Sequence, residues 1–196
     1  MKVYLVEYHE RGYQGRTRFN ASNADLTIAF TVDATTAGER LTRKAATEAK
    51  YGHIDLNTAS PTCAARAIHY LVQSKVVGRP CEILNIAGNG LQTLSRHGWT
   101  QGQVNQYLYE VFVELRDKWG LLPTKGLRSG GQTGVDIAAA VMADTIGIDA
   151  VITFPTGFLQ RGADGRDFTQ TKEDVRQKIA VMTTLLARQF INKPLR

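Results

Sequence analysis

The chain has 196 residues, 43% of them hydrophobic and 21% charged, which is the balance of a water-soluble globular protein and the length of one domain, 1–196. No stretch approaches the ~20 uninterrupted apolar residues of a membrane span, and the N-terminus meets Glu7 after too short an apolar run for a signal peptide. The net charge of +6 comes from scattered basic residues, which suits a small anionic ligand and places DNA last among possible partners.

Residues 2–8 alternate loosely and are rich in Val, Tyr and Leu, which predicts a first strand. Residues 11–20 read as a polar loop. Residues 26–32, LTIAFTV, form a near-continuous apolar run with β-branched residues, the pattern of a buried parallel strand. Thr35 or Thr36 caps the helix that follows, and Gly52 ends it. A short strand over 53–56 precedes a helix with Ser60 at its cap and Pro61 at its first position. Residues 82–87 predict another buried strand, and 88–102 a loop inserted after it.

Val104, Leu108, Val111, Phe112, Leu115 and Trp119 recur at helical spacing. A strand at 126–129 then leads into a glycine turn. A helix over 135–146, a strand over 150–154, a polar glycine-bearing loop over 155–171 and a helix over 173–190 complete the chain. Alternating strands and helices predict an α/β fold: a Rossmann-like three-layer sandwich, with a mostly parallel sheet and helices on both faces. Ligands of such sheets bind beyond the carboxyl ends of the strands.

Cys63 and Cys81 lie far apart and outside any CxxC pattern, so they read as buried thiols of a cytoplasmic protein. His9, His53, His69 and His97 show no metal spacing. No metal and no required cofactor is expected.

Four constellations carry possible chemistry. In the turn SGGQTGVD, the small residues Ser129, Gly130, Gly131 and Gly134 let the backbone approach an anion, beside helix-start N–H groups. Gln132 lies within this turn, Thr133 adds a hydroxyl, and Asp136 favours the helix dipole or accepts from a ribose hydroxyl. The spacing matches neither GxGxxG nor GxxxxGK[ST]. An anion site and a tight structural turn both remain open on the residues alone. A second turn at 35–42 offers Thr36, Gly38, Glu39 and Arg40 to the same crevice, unless Glu39 and Arg40 are merely solvated. In residues 16–25, Arg16 can clamp a phosphate bidentately, while Asn20 and Asp25 serve equally as turn residues. In the late loop, Pro155, Gly157, Arg161, Gly162 and Asp164 form either a lid or a plain surface loop.

The motif SGGQTGVD, with RTRFN…ADLTIAF, TTAGERLT and LNIAGNG, resembles the circularly permuted YpsA-like proteins of the SLOG superfamily. That superfamily also contains putative molybdenum-cofactor carriers, Lonely-guy phosphoribohydrolases, DprA-type DNA-binding proteins and sensors of nucleotide signals. The SGGQTGVD block follows the other three here, which implies a circular permutation of the common fold. Ile137 stands where relatives carry arginine, Ala37-Gly38 where they carry paired glycines, and no PGGxGTxxE motif is complete.

The resemblance implies a small phosphorylated, ribose-containing ligand, such as a nucleotide or an ADP-ribose-type messenger, that is sensed or sequestered. It also implies a homo-oligomer, with the helix at 104–119 as one candidate interface. An N-glycosidase is the enzymatic alternative. There Glu39 would act at the anomeric carbon, Arg40 or Arg161 would hold phosphate, and Asp136 would hold the ribose. A molybdenum-cofactor carrier would use the same phosphate turn.

Overall fold

The computed structural model of the chain describes residues 2–10 and 12–191. Arg11 of the expected loop, and both ends of the expected 1–196 domain, lie outside the described residues. The strands β1 (Val3–Glu7), β2 (Leu26–Thr31), β3 (Tyr51–Asp55), β4 (Ile83–Gly88), β5 (Gly126–Gly130) and β6 (Ala150–Phe154) form one sheet in the order β1-β6-β5-β4-β2-β3. Every pairing in it is parallel. Each residue of β2 is buried, as its near-continuous apolar run requires of a central strand covered on both faces.

Helices α1 (Gln14–Ser22) and α2 (Ala37–Ala46) pack together on one face. On the other face stand α3 (Pro61–Lys75), α5 (Gln101–Trp119), α6 (Val135–Ile146) and α7 (Lys172–Ile191), with a short α4 (Leu91–Arg96) before α5. Each residue of α6 from Val135 to Ala143 is buried, as the innermost helix of that layer. The expected α/β three-layer architecture is therefore observed.

Several local expectations differ. The polar loop over 11–20 is largely α1. That helix has no apolar stripe to announce it, because the residues it buries are Gly15, Arg16, Asn20 and Ala21. Local bonds help to hold it: Thr17 Oγ1 donates to the Tyr13 carbonyl (2.9 Å) and Arg18 to Gln14 Oε1 (3.2 Å). Gly52 does not end α2, since the helix stops at Ala46 and Thr47 turns the chain at φ 64°. Gly52 instead lies in β3, where a Cβ would meet Leu71 at 2.5 Å. The inserted loop contains α4. The late loop folds into a small antiparallel hairpin of β7 (Gln160–Arg161) and β8 (Asp167–Phe168).

The apolar stripe of α5 is core: Val104, Leu108, Val111, Phe112 and Leu115 are all buried within the chain. It is therefore not available as an interface. Cys81 is buried, and burial pushes its thiol up to about 11, whereas Cys63 is exposed in the first turn of α3. No described helix is long and apolar enough to cross a membrane.

Candidate functional site

The chain leaves β2 for β3 on one side and β4 for β5 on the other, so the strand order reverses between β2 and β4. In a parallel sheet that reversal opens a crevice at the carboxyl ends. Asn89, just past β4, ties the two strand ends together. Its Oδ1 accepts from the amides of Val32 (2.7 Å) and Asp33 (2.9 Å), and its Nδ2 donates to the Asp33 carbonyl (3.0 Å). Gly88 before it touches β2 so closely that a Cβ would lie 2.0 Å from the Phe30 carbonyl oxygen. Neither residue was among the sequence candidates; the LNIAGNG block marked the place without assigning roles. Asn89→Ala is expected to lose about 2–4 kcal/mol of stability, near ~1 kcal/mol for each of three buried bonds. Urea unfolding of the purified variant measures it.

A cavity of about 590 Å³ opens here, a size suited to a small-molecule ligand. It lies between α1 and the start of α2, over β4, against the turn after β5. Of the sequence candidates, Arg16, Asn20, Thr36, Gly38, Glu39, Gly130, Gln132, Asp136 and Arg161 line it. The two glycine-bearing turns thus share one cavity. Arg40 points away, with Nη1 on the Thr35 carbonyl. Ser129 is fully buried beneath the floor and donates to the Ile86 carbonyl (2.6 Å). Gly131 sits against the Phe154 ring. Pro155 and Gly157 lie apart, the latter's amide bonded to Glu7 Oε1 (2.5 Å). Tyr13 and Asn85, unsuspected from sequence, complete the wall.

The glycine turn is satisfied by the protein itself. The Gln132 amide donates to Asp136 Oδ2 (3.2 Å), the Thr133 amide to Gln132 Oε1 (2.9 Å), the Gly134 amide to Gln101 Oε1 (2.7 Å) and the Val135 amide to the Asn89 carbonyl (3.2 Å). These four N–H groups are not left for an anion. Their work is to hold Asp136, Gln132 and the neighbouring hairpin. Gln132 Oε1 also accepts from the Arg161 amide (2.7 Å), the Thr133 hydroxyl donates to the Arg161 carbonyl, and Gln160 donates to the Gly131 carbonyl (2.5 Å).

The free donors are on α1 instead. Arg16 and Asn20 are four residues apart and share one helix face. Arg16 is 6% exposed, and its Nη1 pairs with Asp136 Oδ2 at 3.1 Å. Nε and Nη2, the side-on edge of the guanidinium, have no acceptor from the described residues. Asn20 is 2% exposed; its Oδ1 accepts from the Thr153 hydroxyl (3.0 Å), and its Nδ2 is unpartnered. Gly130 makes room for the ion pair, since a Cβ there would stand 1.6 Å from Arg16 Nη1. At the rim, the Tyr13 ring lies against both guanidinium groups, with Arg16 5.5 Å and Arg161 5.6 Å from its centroid. Arg161 also forks onto Asp167 at 2.7 and 3.1 Å, and the Tyr13 hydroxyl donates to Asp167 (3.0 Å).

Glu39 faces this group from the other wall. Thr36 caps α2 by accepting from the Glu39 amide (3.2 Å), but the Glu39 carboxylate turns inward and accepts from the Tyr51 hydroxyl. Burial raises the Glu39 carboxyl and the Asp136 charge adds to the rise, while Tyr51 opposes it. Burial likewise pushes Asp136 up, against the pull of Arg16, the Gln132 amide and Ser129. With its folded pKa above the ordinary 4.5, Glu39 keeps its proton to higher pH in the folded state. Its contribution to stability is therefore full below that value and falls as pH rises through the folded pKa. Glu39→Gln is expected to lack this slope and to gain on the native chain as pH rises from about 4.5. Denaturant unfolding at a series of pH values checks the sign.

A parallel sheet with a crevice at its switch point defines a Rossmann-like α/β architecture. Residues 2–112, more than half of the chain, match the family described as the circularly permutated YpsA SLOG family, and the chain belongs to it. The matched residues carry α1, the second glycine turn and Asn89; the SGGQTGVD turn lies beyond them. Comparison with curated proteins and with solved structures found no match. Among the described residues, no group of three His, Cys, Asp or Glu is placed to hold a metal ion.

Proposed function

We propose that the protein binds a phosphorylated, ribose-containing ligand of nucleotide type in this crevice, and senses or sequesters it. The observation that carries this reading is that Arg16 Nε and Asn20 Nδ2, both buried and one helical turn apart, have no acceptor among the described residues. Two buried donor groups that the protein itself does not satisfy suit phosphate or sugar oxygens. The Asn, Gln and Thr side chains around them offer hydrogen bonds to sugar and base, and membership of the SLOG superfamily supports the ligand class.

Calorimetry with nucleosides, nucleotides and ADP-ribose isomers tests it, together with mass spectrometry of any ligand released by denaturing the purified protein. Binding weaker than about 1 mM, roughly 4 kcal/mol, across the panel rejects the reading.

A second reading, N-glycosidase, draws on one observation: Glu39 and Asp136, two buried carboxyl groups, line the same cavity. In that reaction water would add to the ribose C1′ as the bond to the base breaks. Glu39 would give its proton to the departing base and, as the carboxylate, take up the proton that the adding water loses, while Asp136 would hold the sugar. Free base released from nucleoside monophosphates, read by chromatography, supports this. Intact ligand after long incubation leaves the binder.

A further inference from the structure

The charged groups lining the crevice are Arg16, Arg161, Glu39 and Asp136, with no lysine or histidine among the lining residues. The wall is thus balanced, although the whole chain carries +6. Both arginines already face a carboxylate, Arg16 that of Asp136 and Arg161 that of Asp167. Arg40 and Arg43, on the same helix as Glu39, are engaged by the Thr35 carbonyl and by Glu48. The donors that the protein leaves for one anionic group are Nε of Arg16 and Nδ2 of Asn20, one helical turn apart on α1. Further charge on the ligand finds no unpaired cation among the lining residues and is turned toward Glu39 and Asp136. Like charge brought against these two carboxyl groups is repelled.

We infer that the crevice selects its ligand by charge: it takes a ribose phosphate carrying at most about two negative charges, seated on the Arg16 edge, and rejects nucleoside di- and triphosphates. This rests on the nucleotide reading above and narrows it. Phosphate number is not the criterion. ADP-ribose has as many phosphates as ADP, but both of its phosphates are bridging and it carries about one charge fewer.

The test is calorimetry in EDTA at physiological salt, using the nucleoside and its 5′-mono-, di- and triphosphates for each of the four common bases, and ADP-ribose. A monophosphate or ADP-ribose is expected to bind at least about tenfold tighter than the matching di- and triphosphates. A triphosphate that binds equally or more tightly overturns the charge ceiling and leaves nucleotide binding standing. No binding by any compound overturns the nucleotide reading itself.

Two variants probe the seat, with the melting temperature checking that each folds. Arg16→Lys keeps the charge facing Asp136 but loses the planar edge, and is expected to reduce phosphate ligands to the affinity of the nucleoside. Asn20→Asp keeps an acceptor for Thr153 and replaces the free donor with a negative oxygen. It is expected to weaken the monophosphate by at least about tenfold while changing nucleoside affinity little. Unchanged monophosphate affinity in either folded variant overturns the Arg16 seat.

Discussion

Asp136→Ala is expected to lower folding stability by about 3–5 kcal/mol, because it strands a buried guanidinium with no counter-charge. Arg16→Ala is expected to do the same to the buried carboxylate. The pair is 3.1 Å apart with side chains only 7% and 9% exposed, so water cannot take the place of the missing partner. The double variant Arg16→Met, Asp136→Leu removes both charges and refills the space with apolar atoms. It is expected to recover most of the loss, since buried ion pairs are seldom more stabilising than well-packed apolar groups. The Gln132 amide still loses its acceptor, which keeps the recovery short of complete. Urea unfolding of the four proteins gives the coupling directly, expected at about 2–3 kcal/mol. Simple additivity would show that the two groups do not act as a pair. Ligand binding is expected to be lost in all three variants, which separates the seat's role in function from its role in stability.

Two glycines on the wall of the same cavity are expected to behave oppositely. At Gly130 a Cβ would lie 1.6 Å from Arg16 Nη1 and 2.2 Å from Asp136 Oδ2. Arg16 can swing aside only by abandoning Asp136, so Gly130→Ala carries most of the cost of the broken pair, about 3 kcal/mol or more. Gly38, in the first turn of α2, has open space for 4 Å around the place a methyl would take, and an ordinary helical backbone. Gly38→Ala is expected to be neutral or to stabilise by up to about 1 kcal/mol, through helix propensity and a less flexible unfolded chain. Thermal and chemical unfolding of the two single variants decides the contrast. Equal effects would mean that the ion pair does not depend on the space at Gly130.

The strands were legible because a strand covered on both faces needs a near-continuous apolar run, and 26–31, 83–87 and 150–154 are such runs, each broken only by Thr or Asn. Helix α3 was legible from its cap, with Ser60 accepting from the Cys63 amide (3.3 Å), and α5 from its periodicity. α1 was not, because its inward face serves a polar cavity: Arg16 and Asn20 occupy positions where periodicity looks for Leu and Val. The same substitution of polar for apolar residues that hid the helix produces the candidate site. α2 began where its threonines indicated, but its end was misplaced, because Thr47 rather than a glycine adopts the positive φ there.

What the sequence determined alone was the six strands of the main sheet and most of the helices between them, the α/β class and the family, because apolar runs, caps and motif residues are local properties of the chain. It also singled out Arg16, Glu39 and Asp136 as candidates by residue type. Only the tertiary structure decided their relation. Arg16 and Asp136 are 120 residues apart and meet because α1 packs over β5, where Gly130 clears the space. Whether the amides after Ser129 were free to hold an anion depended on where Gln101, Asn89 and Asp136 came to rest. They rest on those amides, and the vacant donors are found on α1 instead. Hydrogen-bond satisfaction is a property of the folded neighbourhood, and no spacing within a motif reports it.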